Sequence, residues 1–180
     1  MKFRRRATTA FGGRLLGAAC GIAVLTLVGL SPVVPAEVSQ MDTGRTNYLL
    51  NCAGCHGLDG VSNSSLVPDL KGQVGFFLNL PEGRNYVAQL PNVAFSKTTD
   101  EALAGLLNYV VFSLGGDSAP RGGKPYTVRE VSQLRRKPLT GVSLAKMREQ
   151  MVQILIDQYN ATTELRRYGA DNYGSPPAPP

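Results

Sequence analysis

The chain has 180 residues, 43% hydrophobic and 7% aromatic, with no Trp, one His and three Cys, which suits one domain with appendages and is short for two full domains. The formal charge of +6 misleads, because residues 1–36 hold Lys2, Arg4, Arg5, Arg6 and Arg14 and no acid, leaving 14 basic residues against 13 acidic ones in the rest. No general basic excess survives there, so binding to nucleic acid is excluded as the main role.

From 37 to 120 there are four basic and eight acidic residues; from 121 to 180 there are ten and five. An acidic domain followed by a basic helical segment presents either a solvated basic face or a docking face for a charged partner.

Along the chain, residues 1–36 read as an export signal. A basic start (Lys2, Arg4, Arg5, Arg6) precedes an apolar run from Leu15 to Leu30, and Val34 and Ala36 supply the small residues of a cleavage site before Glu37. The run of ~16 apolar residues is short for a membrane span of ~20, so a membrane is met only through this segment if it stays uncleaved. Cys20 belongs to it and lacks the setting of a lipid anchor.

Gly44 and Tyr48 stand four residues apart, one turn of a helix, just before Cys52-Ala-Gly-Cys55-His56. This C-x-x-C-H pentapeptide is the haem attachment signature. Two thiols at this spacing add to the two vinyl groups on one porphyrin edge, and the His that follows brings its imidazole to the iron. The rival readings are a thioredoxin-type pair, which needs a βαβ setting, half a zinc site, which needs four ligands, and a disulfide staple. The pentapeptide holds the chain's only His and both cysteines beyond the export segment.

Gly57-Leu-Asp-Gly60 then reads as a turn and Val67-Pro-Asp-Leu-Lys-Gly72 as a loop. Thr98-Thr-Asp-Glu101 predicts a capping box. Leu103, Leu106, Leu107, Val110, Val111 and Leu114 follow at 0, 3, 4, 7, 8 and 11, one face of an α-helix that Gly115-Gly116 ends. Residues 115–125 are Gly- and Pro-rich and read as a linker. Thr127-Val-Arg-Glu130 opens a helix to about Arg136, which Pro138 stops; Ser143 caps a longer helix with Leu144, Met147, Met151, Ile154 and Leu155 on one face. The last residues, ending Ser-Pro-Pro-Ala-Pro-Pro, are expected to be disordered.

Residues 42–115 resemble the class I cytochrome c family. The resemblance rests on Gly44-x-x-x-Tyr48 as its first helix, the pentapeptide, Gly57-x-Asp-Gly60, the Val67–Gly72 segment and the helix containing Tyr109. It implies an all-α, small cytochrome c fold around one covalent haem c with its iron. Cys52 and Cys55 are the attachment points and His56 the axial ligand. The Pro68 carbonyl is expected to accept a hydrogen bond from His56, and Gly44 to admit close approach of the last helix. The expected organisation is a signal peptide over 1–36, a haem domain over 37–116, a linker over 117–126, a C-terminal helical extension over 127–160 that the minimal fold lacks, and a disordered Pro-rich tail over 161–180.

One departure stands out. The family's sixth iron ligand is a Met in the loop before the last helix, and here that loop, Tyr86–Lys97, contains none; Leu90-Pro91 stands where Met-Pro is expected. Three outcomes are open: an open or weakly ligated iron, a donor from the loop (Tyr86, Gln89, Asn92, Lys97), or Met147 or Met151 folding back.

The resemblance implies a periplasmic one-electron carrier, not an enzyme, between a donor such as a periplasmic dehydrogenase and a downstream acceptor such as a terminal oxidase. Alternatives are a haem-carrying subunit of a dehydrogenase complex and an open-iron protein that binds small ligands. Arg135, Arg136, Lys137 and Arg148 are the docking residues if the extension meets a partner.

Overall fold

The computed structural model describes residues 36–63 and 67–168, with side chains from residue 43 onward. Apart from Ala36, the expected signal peptide lies outside the described residues, as do residues 169–180 of the expected tail. Among the described residues every regular element is helical, so the protein is all-α.

The first helix, α1 (Ala36–Asn51), crosses α5 (Asp100–Asn108) at Gly44. A Cβ added to Gly44 would stand 2.5 Å from the Gly105 carbonyl oxygen, so the two backbones meet where only hydrogen fits. One turn later Tyr48 is fully buried, its ring centroid 5.6 Å from that of Tyr109. The crossing fixes the end of α1 against the core, and the short α2 (Ala53–His56) that carries the pentapeptide follows directly.

After a 3-10 segment at Val74–Asn79 come α3 (Pro81–Gln89) and α4 (Pro91–Ala94), each opened by a proline at its first position. Leu90 between them is extended (ψ 133°), as expected for a residue that precedes proline. The cap of α5 falls one residue later than the sequence pattern predicts. The Thr99 hydroxyl, not that of Thr98, accepts the N–H of the third helical residue, Ala102, at 3.2 Å, while Thr98 pairs with Ser96 through their hydroxyls at 3.0 Å.

The predicted face of α5 is correct but its helix type is not. At Tyr109–Leu114 the coil widens to a π-helix, closed by Gly115 N–H donating to the Val110 carbonyl. Leu103, Leu106, Leu107, Val110, Val111 and Leu114 all stay buried. The next turn ends against Gly75, where Gly115 and Gly75 give room for backbone contact.

Residues 117–126 are anchored at both ends. Ser118 is buried, and the Tyr126 backbone is held by the Asn108 side-chain amide, which accepts from its N–H at 2.6 Å and donates to its carbonyl at 3.0 Å. The helix α6 (Val128–Leu134) has the complete capping box of Thr127 and Glu130. The last helix, α7 (Leu144–Tyr159), is capped by Ser143 and packs on the Val74–Asn79 segment.

Its inward face departs from expectation in one residue. Met151, Val152 and Leu155 are buried and Ile154 is 38% exposed, because the stripe continues through 148 and 152 and leaves 154 on the far side. Arg148 is buried, 5.1 Å from the centre of the Phe77 ring, and donates to the Leu165 carbonyl at 3.2 Å. It belongs to the core and not to a docking face. Residues 161–168, expected within the disordered tail, form a 3-10 turn over Thr163–Tyr168 with Leu165 and Tyr168 buried.

Candidate haem site

The pentapeptide is placed by its flanks. Cys52 N–H donates to the Tyr48 carbonyl at 2.8 Å, continuing the α1 ladder, and His56 N–H donates to the Cys52 carbonyl at 3.0 Å. The chain then leaves sharply. Gly57 has φ +75°, and a Cβ there would strike the Val61 carbonyl oxygen, so only glycine suits the exit from His56. The Tyr48 hydroxyl donates to the Gly57 carbonyl at 2.5 Å, and its burial pushes its pKa up to about 12. This clamp on the backbone beside His56 is invisible in the sequence, where Tyr48 serves only to mark the first helix.

His56 is half-buried, and its Nδ1 lies 2.9 Å from the Pro68 carbonyl oxygen. A carbonyl can only accept, so Nδ1 carries the proton and Nε2 keeps its lone pair. Burial lowers the imidazole pKa, against the opposing pull of the Pro68 carbonyl, and keeps the ring in the neutral form a metal ligand requires. The segment holding Pro68 is itself anchored: Leu70 N–H donates to the Gly60 carbonyl at 2.7 Å, and the Asp69 carboxylate accepts from Ser62 N–H at 2.7 Å.

Cys52 is half-buried and Cys55 exposed, and both are free thiols. Burial, with the neighbouring Cys55 second, pushes the Cys52 thiol up to about 11, so it stays protonated at neutral pH. Two free thiols and one neutral imidazole with a directed lone pair are the donor set that covalent haem needs. The residues present fit the group.

Of the sixth-ligand alternatives, Tyr86 is buried and stacked on Phe77, with centroids 5.8 Å apart. The Gln89 side chain donates to the Lys137 carbonyl at 2.8 Å. Asn92 and Lys97 are exposed, Met151 lies buried in the core, and Met147 packs on its edge. The charged groups named for docking divide: Arg136 and Lys137 are exposed, whereas Arg135 and Arg148 are engaged inside the fold.

The chain is 30% identical over 107 residues to cytochrome c-552 of Thermus thermophilus, an alignment that covers 49% of this chain and 82% of that protein. It is equally similar to a second cytochrome c-552, from a particular strain of the same organism, covering 72% of it. No family model matches the chain, and no solved structure matches it. The chain belongs to the c-type cytochromes, proteins that carry covalently bound haem c and transfer electrons. Among the described residues no helix is long and apolar enough to cross a membrane.

Proposed function

We propose that the protein is an exported, mono-haem class I cytochrome c that passes single electrons between a periplasmic dehydrogenase and a downstream acceptor. The observation that carries this reading is the 2.9 Å hydrogen bond from His56 Nδ1 to the Pro68 carbonyl, set beside two free thiols in one pentapeptide. Haem, when bound, supplies a metal that gains and loses one electron. In this reading Cys52 and Cys55 hold it by two thioethers. His56 presents Nε2 to the metal, and the Pro68 carbonyl fixes the ring and makes it a stronger donor. Tyr48 and Gly57 hold the backbone on which His56 sits. In the same reading the loop Tyr86–Lys97 would lie over the face opposite His56, and with Leu90 standing where Met is expected that face would be open or weakly ligated.

Expression together with a haem-attachment system tests the reading. The purified protein is expected to be coloured, to exceed the bare mature chain by the mass of one haem, and to combine with carbon monoxide when reduced. Cys52→Ala and Cys55→Ala each leave a single thioether, and the double variant loses covalent haem. A colourless wild-type product with the mass of the bare chain rejects the proposal.

A further inference from the structure

The C-terminal segment makes its densest set of polar contacts with the loop that lacks a methionine. Arg135, its side chain 16% exposed, points from the end of α6 into the turn between α4 and α5. Its Nε donates to the Ala94 carbonyl at 3.1 Å, Nη1 to the Thr98 carbonyl and to Asp100 Oδ1, both at 2.9 Å, and Nη2 to the Ser96 carbonyl at 2.5 Å. The Ala94 carbonyl ends α4 and so has no helical partner of its own. On the other side of Leu90, the Gln89 carbonyl accepts from Leu139 N–H at 2.9 Å, and its side-chain amide donates to the Lys137 carbonyl at 2.8 Å. Both ends of the stretch from Gln89 to Asp100 are thus tied to residues 135–139.

A loop that donates a strong ligand to a metal is fixed by that bond. This loop holds no Met, His or Cys and has to be held by the rest of the protein. A guanidinium suits the task, because its planar fork reaches several acceptors in fixed directions, whereas a lysine ammonium is a compact point charge. Charge-assisted hydrogen bonds of this kind are about twice as strong as neutral ones.

We propose that Arg135, with the Lys137–Leu139 turn, is a latch that keeps the Leu90–Thr98 loop closed over the haem face opposite His56, replacing the methionine-to-iron bond that this sequence lacks. Arg135 is in this sense a positioning residue. The proposal rests on the reading above that this loop covers that face, and it gives the extension a task inside the molecule: the control of small-ligand access.

The test uses the haem-loaded full protein and two readouts: the rate at which the reduced protein combines with carbon monoxide, and amide hydrogen exchange over residues 92–98. Arg135→Met and Arg135→Lys are both expected to speed carbon monoxide binding about fivefold or more, the factor that loss of one such bond typically implies, and to reduce protection in the loop. The lysine variant keeps the charge beside Asp100 and is not expected to rescue. Ser143→Ala, which loses only the cap of α7, is the control for general destabilisation and is expected to keep the wild-type rate.

Wild-type exchange and wild-type rates in a folded Arg135→Lys protein overturn the latch and leave the haem reading intact. A loosened loop with an unchanged carbon monoxide rate also overturns it, and places the fault in the reading that the loop covers the iron. Equal acceleration in Ser143→Ala overturns it as well.

Discussion

Gly44 shows how a single hydrogen atom sets the first crossing of the fold. Alanine is favoured over glycine inside a helix by about 1 kcal/mol, so on propensity alone Gly44→Ala is a stabilising change. The site opposes it: the added Cβ meets the Gly105 carbonyl oxygen at 2.5 Å and Tyr109 Cβ at 3.0 Å. The first contact is backbone and cannot rotate away, so α1 and α5 must separate, and overpacking of this kind costs about 1–3 kcal/mol. The clash outweighs the propensity gain, and Gly44→Ala is expected to lower stability by about 1 kcal/mol, up to about 2, on balance. Urea unfolding of the haem-loaded protein checks this, and an unchanged or raised midpoint would show that the helices have room there.

At the scale of elements, α7 gives the sharpest separation between pattern and packing. Its sequence pattern puts Ile154 on the inner stripe, yet Val152 is 3% exposed and Ile154 38%. Val152→Ala is therefore expected to cost about 1–2 kcal/mol, since it empties buried apolar volume. Ile154→Ala is expected to stay within about 0.5 kcal/mol, as surface changes usually do. The same thermal or urea series measures both, and the reverse order would mean that α7 is rotated about its axis.

The all-α class, the pentapeptide and the apolar face from Leu103 to Leu114 are legible in the sequence because each is local: a spacing of a few residues holds the whole message. Pro68 is legible only through the family resemblance, for nothing within the segment says where its carbonyl points. The widening of the coil at Tyr109–Leu114 leaves no trace in the periodicity, because the same six side chains remain buried in either helix type. Arg135 and Arg148 read in the sequence as a basic face. Their partners lie at Ala94–Asp100 and at Phe77 and Leu165, far along the chain, and a run such as Arg135-Arg136-Lys137 looks the same whether it is solvated or buried.

For the molecule as a whole, residues 124–130 are joined to α3 at a second polar junction, and its protonation sets a pH window. The Arg84 guanidinium makes a forked pair with Glu130, at 2.6 Å and 2.8 Å, donates to the Lys124 and Pro125 carbonyls, and lies 4.0 Å above the centre of the Tyr126 ring. The buried Tyr126 hydroxyl donates to the Arg84 carbonyl at 2.7 Å.

Hydrogen bonding to Arg84 holds the Glu130 pKa below its ordinary value of 4.5. A depressed carboxylate contributes stability that is present above 4.5 and is lost as pH falls through its folded pKa. Burial raises the Tyr126 pKa above 10.0, although Arg84 pulls the other way. A raised phenol contributes stability that is present below about 10 and is lost as pH rises toward its folded pKa.

The contribution of this junction to stability is therefore expected to be level from about pH 5 to 9, with a decline on each side. Glu130→Gln keeps the shape and removes the charge, so it is expected to cost about 1–2 kcal/mol at about pH 7 and to flatten the acid decline. Tyr126→Phe is expected to leave the acid decline in place and reduce the alkaline one. Urea midpoints of the three haem-loaded proteins across this range separate the two groups. An acid decline of undiminished slope in Glu130→Gln would assign that limb to other carboxylates and leave the Arg84–Glu130 pair without a share in holding the extension to the domain.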